Sequence, residues 1–279
     1  MNAPAASLAA RIAGARPASG TVAGWWLGGS GFIFKTAGGR QVWIDPYLSD
    51  IVRLMFGLGR AFPAPITAAE AAPDVVISTH WHEDHLDPEG IPALARHRPG
   101  VKFVMSPGSM AHAIPLGVPR AQIVSLGAGQ TLDLDGVKLT AVAARHEAGV
   151  PGWEVPDAFG VILDFAGVRV YHTGDTDYDP RIHRTLAGTP LALATLCING
   201  SVGNLNAHEA ALLAWHLDAR AVVPHHHLIW DRPPDKIPAC ETLDPNLFAA
   251  TYRKLGGPAQ ILLPTVGGGF TLSAAGLDV

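Results

Sequence analysis

Apolar positions recur along this chain in two alternating patterns, and the alternation predicts strands interleaved with helices. Ala23–Leu27, Phe32–Lys35 and Gln41–Ile44 are short β-rich runs separated by Gly28-Gly29-Ser30-Gly31 and Gly38-Gly39. Glycine clusters between such runs predict a hairpin meander. Asp74–Ser78 is a continuous apolar run, the pattern of a strand buried on both faces. Pro88–His97 reads as a helix, with Asp87 as N-cap and Pro88 at the first helical position. A strand is predicted at Lys102–Met105 and a helix near Gly108–Leu116. Further strands fall at Gln122–Ser125, Thr131–Leu134, Val137–Ala143, Phe159–Phe165, Val168–His172 and Leu191–Ile198. A helix at Ala207–Leu217, a strand at Ala221–Pro224, a helix over Pro245–Lys254 and strands Gln260–Leu263 and Gly269–Leu272 complete the pattern.

The order is a meander followed by β/α units, twice over. Two such halves predict an α/β fold: a sandwich of two mixed β-sheets with helices on the outer faces, an αββα plan. No fixed-period repeat and no linker interrupts it, so residues 1–279 read as one domain, with 1–20 as a helical N-terminal arm. Gly149–Asp157 and Asp231–Thr242 are irregular and read as loops bordering a site.

Composition excludes several classes. Hydrophobic residues make up 48% and charged residues 16%, against ~25% charged in an average domain, so a mostly disordered chain is excluded. So few charges also predict a surface partly covered by other subunits, a homo-oligomer. A net charge of -4 provides no basic stripe for nucleic acid. Cys197 and Cys240 read as free thiols of a reducing compartment. With no apolar secretory core at the N-terminus, the expected location is the cytoplasm. The longest uncharged stretch, Thr185–His208, holds three asparagines and three glycines and is too polar to span a membrane. No exposed apolar or basic helix suited to a membrane surface is read, so a membrane is not an expected partner.

The chemistry concentrates in Thr79-His80-Trp81-His82-Glu83-Asp84-His85-Leu86-Asp87, directly after the Asp74–Ser78 strand. His80 and His82 are two apart and point the same way in an extended segment. Asp84 and His85 are adjacent and reach a second point as the chain turns. One segment therefore supplies donors to two neighbouring metals, and imidazole with carboxylate suits a transition metal. His146, Asp175 and the run His225-His226-His227 each follow another predicted strand. Taken singly these are ordinary polar residues. Together they place four donor clusters on one edge of a sandwich.

With these motifs the sequence resembles the metallo-β-lactamase superfamily. Within it the resemblance is closest to the L-ascorbate-6-phosphate lactonase family. The shared features are Trp25-Trp26-Leu27-Gly28 with Gly31, Thr79-His80-x-His82-x-Asp84-His85, Gly117-Val118-Pro119, Tyr171-His172-x-Gly174-Asp175, Pro224-x-His226-His227-x-Ile229-Trp230 and Val266-Gly267-Gly268. The resemblance implies two divalent transition-metal ions, zinc or manganese. His80, His82 and His146 would hold one, Asp84, His85 and His226 the other, and Asp175 would bridge them. It also implies that a metal-bridging hydroxide opens a lactone or related cyclic ester of a small molecule, with Asp84 and Asp175 in catalytic positions and His227 touching substrate. His225 stands where the family is commonly apolar and reads as structural. Glu83, Asp87, His172 and Asp177 read as residues that orient ligands or cap. Trp81, Trp153 and Trp230 are candidates for pocket walls, against the plainer reading as core aromatics.

The chain departs from the lactonases at His146, where they carry no histidine, at Leu228, where they carry Asp, and in lacking a long insertion before His80. These departures argue against a phosphorylated sugar. Near the motifs the cations are Arg145, Arg181, Arg184, Arg232 and Lys236, of which Arg145, beside His146, is best placed to reach substrate. Two other functions compete. The His-x-His-x-Asp-His-Leu-Asp form also occurs in relatives of a phospholipase D acting on phosphodiesters, and a non-catalytic metal-binding protein would keep the fold but lose ligands.

Overall fold

The protein is described by a computed structural model over residues 6–146, 151–201, 203–227, 229–231 and 243–278. The first half contains α1 (Leu8–Gly14), β1 (Thr21–Gly28), β2 (Gly31–Thr36), β3 (Gln41–Ile44), α2 (Ile51–Phe56), β4 (Val75–Ser78), α3 (Gly90–His97), β5 (Lys102–Met105), α4 (Pro107–Ala113) and β6 (Ile123–Ser125). The second contains β7 (Thr131–Leu134), β8 (Val137–Ala143), β9 (Phe159–Phe165), β10 (Val168–His172), α5 (Pro180–Thr185), β11 (Leu193–Cys197), α6 (Ala207–His216), β12 (Ala221–His225), α7 (Pro245–Lys254) and β13 (Gln260–Ile261). β14 (Gly269–Ser273) and β15 (Gly276–Leu277) return to the first sheet.

The sheets run β15-β14-β1-β2-β3-β4-β5-β6 and β13-β12-β11-β10-β9-β8-β7. Each is antiparallel through its meander and parallel from β3 or β10 onward. Their facing surfaces bury Phe32, Phe34, Ile77, Phe159, Val161 and Val223 in one core. The outer face of the first sheet packs on residues from α1, α3 and α4, and that of the second on α5, α6 and α7. This is the predicted mixed-sheet α/β plan. It leaves the C-terminal ends of β3, β4, β8, β10, β11 and β12 on one edge, where parallel-strand ends commonly hold a site.

Several element boundaries differ from the sequence expectation. The helix expected from Pro88 begins at Gly90. Asp87 still works as a cap, because its Oδ1 accepts from Glu89 N at 3.0 Å and Gly90 N at 2.9 Å. Its other oxygen accepts from Leu48 N at 2.8 Å and Ser49 N at 2.7 Å, which anchors the segment leading into α2. α2 and α5, six residues each, carry too short a periodic pattern to be read from sequence. α2 also corrects the expectation that no apolar helix is exposed: Leu54, Met55 and Phe56 are 76%, 50% and 41% exposed. No helix among the described residues is long and apolar enough to cross a membrane. The N-terminal arm is no loose tail, since Leu8 and Ile12 are buried and Lys35 Nζ donates to Ile12 O at 2.8 Å.

Candidate metal centre

The strand ends deliver their donors to one point. β4 ends at Ser78, and the following turn carries His80, His82, Asp84 and His85. His146 follows β8, Asp175 follows β10, and His226 follows β12. Two positions there adopt left-handed backbone without being glycine: Asp45 at φ 44° and His226 at φ 58°. Such conformations cost about 1 kcal/mol or more and persist only where surroundings hold them. Here Gly29 O accepts from His226 N at 2.9 Å, so the Gly-Gly-Ser-Gly turn between β1 and β2 fixes the end of β12.

Donor atoms fall into three overlapping groups, each within 4.8 Å: His80, His82 and His146; His80, His85 and Asp175; Asp84, His85 and His226. His80 Nε2 and His146 Nε2 lie 2.9 and 3.1 Å from His82 Nδ1. Four imidazoles have the outward nitrogen beside an oxygen. His82 Nε2 donates to Trp153 O at 3.0 Å, His146 Nδ1 to Gly203 O at 2.8 Å and His85 Nδ1 to Asp45 Oδ2 at 2.8 Å. His80 Nδ1 lies 3.2 Å from Thr79 Oγ1, whose own proton goes to Asp45 Oδ2 at 2.7 Å. An outward N–H bond of this kind fixes the tautomer and leaves the inward nitrogen with its lone pair, as a metal ligand requires. His85 Nε2 is buried with no hydrogen-bond partner. It faces Asp175 Oδ1 at 3.5 Å and Asp84 Oδ1 at 3.8 Å.

Charge completes the fit. Burial, reinforced by neighbouring imidazoles, lowers the pKa of His80 and His82, the latter to about 4. Burial alone would raise Asp84, but His85 and His226 hold it down at about 2. Burial opposes ionisation of Asp175 too, and the same two histidines outweigh it and hold it well below the usual range. Three buried or nearly buried carboxylates, Asp45, Asp84 and Asp175, thus need positive charge among them. Divalent cations on this donor set would supply it.

The connection after β11 supplies no ligand but reaches three of them. Asn204 Nδ2 donates to Asp175 Oδ2 at 3.0 Å, Gly203 O accepts from His146, and the Asn199 amide lies 2.9 Å from His226 Nδ1. Neither asparagine was singled out from sequence, because nothing local marks an Asn as facing a ligand 27 or 29 residues away. Asp45 was missed as well. An Asp closing the apolar run Val42-Trp43-Ile44 is the same signal that marked the other strand ends.

The seven expected donors are brought together, Glu83, Trp153 and Trp230 line the cavity beside them, and several other predicted residues lie elsewhere. His227 is buried against Trp26, ring centroids 5.0 Å apart, and does not line the cavity. Arg145 is exposed and also does not line it. His225 stacks on His172 at 4.5 Å and belongs to no donor group. His172 Nε2 stands 3.5 Å from Asp45 Oδ2, behind the ligands, and Asp177 N donates to Arg145 O at 2.7 Å. Trp153 and Trp230 line the cavity, whereas Trp81 stacks on His112 outside it. Arg232, Lys236, Cys240 and Leu228 lie outside the described residues.

The chain matches the family model of the β-lactamase superfamily domain over residues 40–227. It is 30% identical over 199 residues to a UPF0173 metal-dependent hydrolase of Thermococcus onnurineus (strain NA1), covering 71% of this chain and 81% of the relative. Among solved structures it is similar to Igni18, a metallo hydrolase from Ignicoccus hospitalis KIN4/I, with TM-score 0.65, 23% identity and coverage of 90% and 98%. It is also similar to the isothiocyanate hydrolase from Delia radicum gut bacteria, with TM-score 0.69, 17% identity and coverage of 91% and 99%. The two structural likenesses are of fold alone. The family model spans the strands and turns that carry all seven donors, and on that match this chain belongs to the metallo-β-lactamase superfamily.

Proposed function

We infer that this protein is a metal-dependent hydrolase that opens a lactone or related cyclic ester of a small molecule. The observation that carries the reading is the set of inward-facing donors with fixed tautomers at the floor of a cavity of about 360 Å³. His80, His82 and His146 would hold one divalent cation, Asp84, His85 and His226 a second, and Asp175 would lie between them. Such cations supply Lewis acidity and an ionised water at neutral pH. The protein's own groups orient the donors through Asp45, Gly203 and Asn204, and Asn199 and Ser201 add polar groups to the cavity lining.

The phosphodiesterase reading gains one point, since α2 does expose an apolar face. Against it, no Lys or Arg is among the described residues lining the cavity, and a phosphate is best held by such groups. The test is a screen of sugar lactones, acyl-homoserine lactones and phosphodiesters with zinc- and manganese-loaded protein. The ring ester is expected to give the highest kcat/KM. Faster cleavage of any phosphodiester would overturn the reading.

A further inference from the structure

One wall of the cavity is apolar. Val52 and Phe56 occupy successive turns of α2, and Leu58 follows them; Trp153 and Trp230 complete the lining. Trp153 joins this wall to the metal floor. Its carbonyl accepts from ligand His82, its ring lies 5.2 Å from the His82 ring, and it meets Phe56 edge-on, also at 5.2 Å. α2 itself is held in place. Tyr47 Oη accepts from Val52 N at 3.2 Å, and the Asp87 carboxylate grips Leu48 and Ser49. Arg53, on α2 itself, does not line the cavity, and Arg60, which follows α2, is already committed. It donates to Tyr47 O at 2.7 Å and to Ser49 O, pairs with Asp50 at 3.4 Å and lies over the Tyr47 ring at 4.2 Å. Among the described residues, the one ionisable group on the lining besides the donors is Glu83, whose side chain ends in a carboxyl group.

We propose that this wall is the seat of an apolar arm on the substrate, and that the site selects small molecules with an uncharged alkyl or aryl group several carbons long next to the reacting carbonyl. The inference rests on the hydrolase reading for the position of the reacting carbon. A fixed wall continuous with the ligands gains affinity from every methylene it covers. Among the described residues, the same wall offers an anionic arm no partner and a carboxyl group as neighbour.

The experiment uses isothermal calorimetry on the zinc-loaded full chain with straight-chain hydroxamates of two to eight carbons, whose chelating end occupies the metals and whose tail reads the wall. Affinity is expected to rise about fourfold per methylene, the ratio equivalent to ~0.8 kcal/mol per buried CH₂, until the cavity is filled. Phe56→Ala and Leu58→Ser should cut this to less than about twofold per methylene while leaving the two-carbon member within about twofold, since only contacts along the tail are lost. Leu54→Ser, exposed and outside the lining, should leave the series unchanged. A tail ending in carboxylate should bind at least about tenfold more weakly, because it is desolvated without a partner. A flat wild-type series, a slope untouched by Phe56→Ala and Leu58→Ser, or equal binding of the carboxylate-tipped tail would each overturn the proposal. Hydroxamate binding does not depend on which bond is cleaved. A steep series in a protein that opens no ring ester would overturn the ester reading alone.

Discussion

Asp45 shows how much one side chain outside the ligand set decides. It accepts from Thr79 N at 2.8 Å, from Thr79 Oγ1 and from His85 Nδ1, and so sets the tautomers of two ligands. Removing an outer partner of a metal ligand typically costs 10–100-fold in metal affinity. Asp45→Asn and Asn204→Ala are each expected to weaken zinc binding by about that factor, as competition with a chromophoric chelator would measure. Unchanged affinity would mean that these contacts are incidental. Cys197 makes the opposite case. It is fully buried, and burial pushes its thiol up to about 12. Native protein is therefore expected to resist alkylation at Cys197 by iodoacetamide at pH 8, with labelling only after unfolding. Mass spectrometry of the Cys197 peptide reads this directly, and rapid labelling of folded protein would contradict it.

Helices and turns here are placed by polar hubs as much as by their own pattern. Asp87 caps the start of α3 and accepts from the chain entering α2, so one carboxylate ties two elements together. Asp87→Ala would leave several donors unpaired in a buried place, and each such group costs ~1–3 kcal/mol. A loss of at least about 3 kcal/mol on urea unfolding is expected, with at least two donors orphaned. A change below about 1 kcal/mol, the scale of a single net hydrogen bond, would show that water replaces the carboxylate. Gly174 is a second such point. It adopts φ 60°, and a Cβ there would meet Thr79 Cβ at 2.9 Å. Gly174→Ala should therefore displace Asp175 from His85 and lower metal content, which elemental analysis would detect.

For the molecule as a whole, the donors come from both sheets, so a bound cation ties the two layers together. Protein purified without chelator is expected to carry close to two metals per chain. A value at or below one in metal-replete buffer would contradict a shared Asp175. Because metal binds the folded state, free metal at a thousand times Kd should add about 4 kcal/mol to stability. Chelation should accordingly lower Tm, and an unchanged Tm would place the ions at the surface.

Much of this was legible in the chain before folding. Apolar runs of four to eight residues separated by turns marked nearly every strand, because strand burial writes itself into local pattern. The His80–Asp87 run, His146, Asp175 and the run His225-His226-His227 were found at strand exits for the same reason: residues near in sequence to a buried strand inherit its endpoint; the choice of His226 among the three came from the family resemblance. What tertiary structure alone decided were contacts between segments far apart. Asn199, Gly203 and Asn204 serve ligands on three other strand ends, and no local periodicity encodes that. α2 is too short for its pattern to stand out, and its role as an apolar wall depends on Trp153 arriving from a separate turn. His227 and Arg145 read as substrate contacts beside their ligand neighbours. Side chains next to one another on a strand or its continuation point to opposite faces, and only the packing of the two sheets determined which of each pair looked into the cavity.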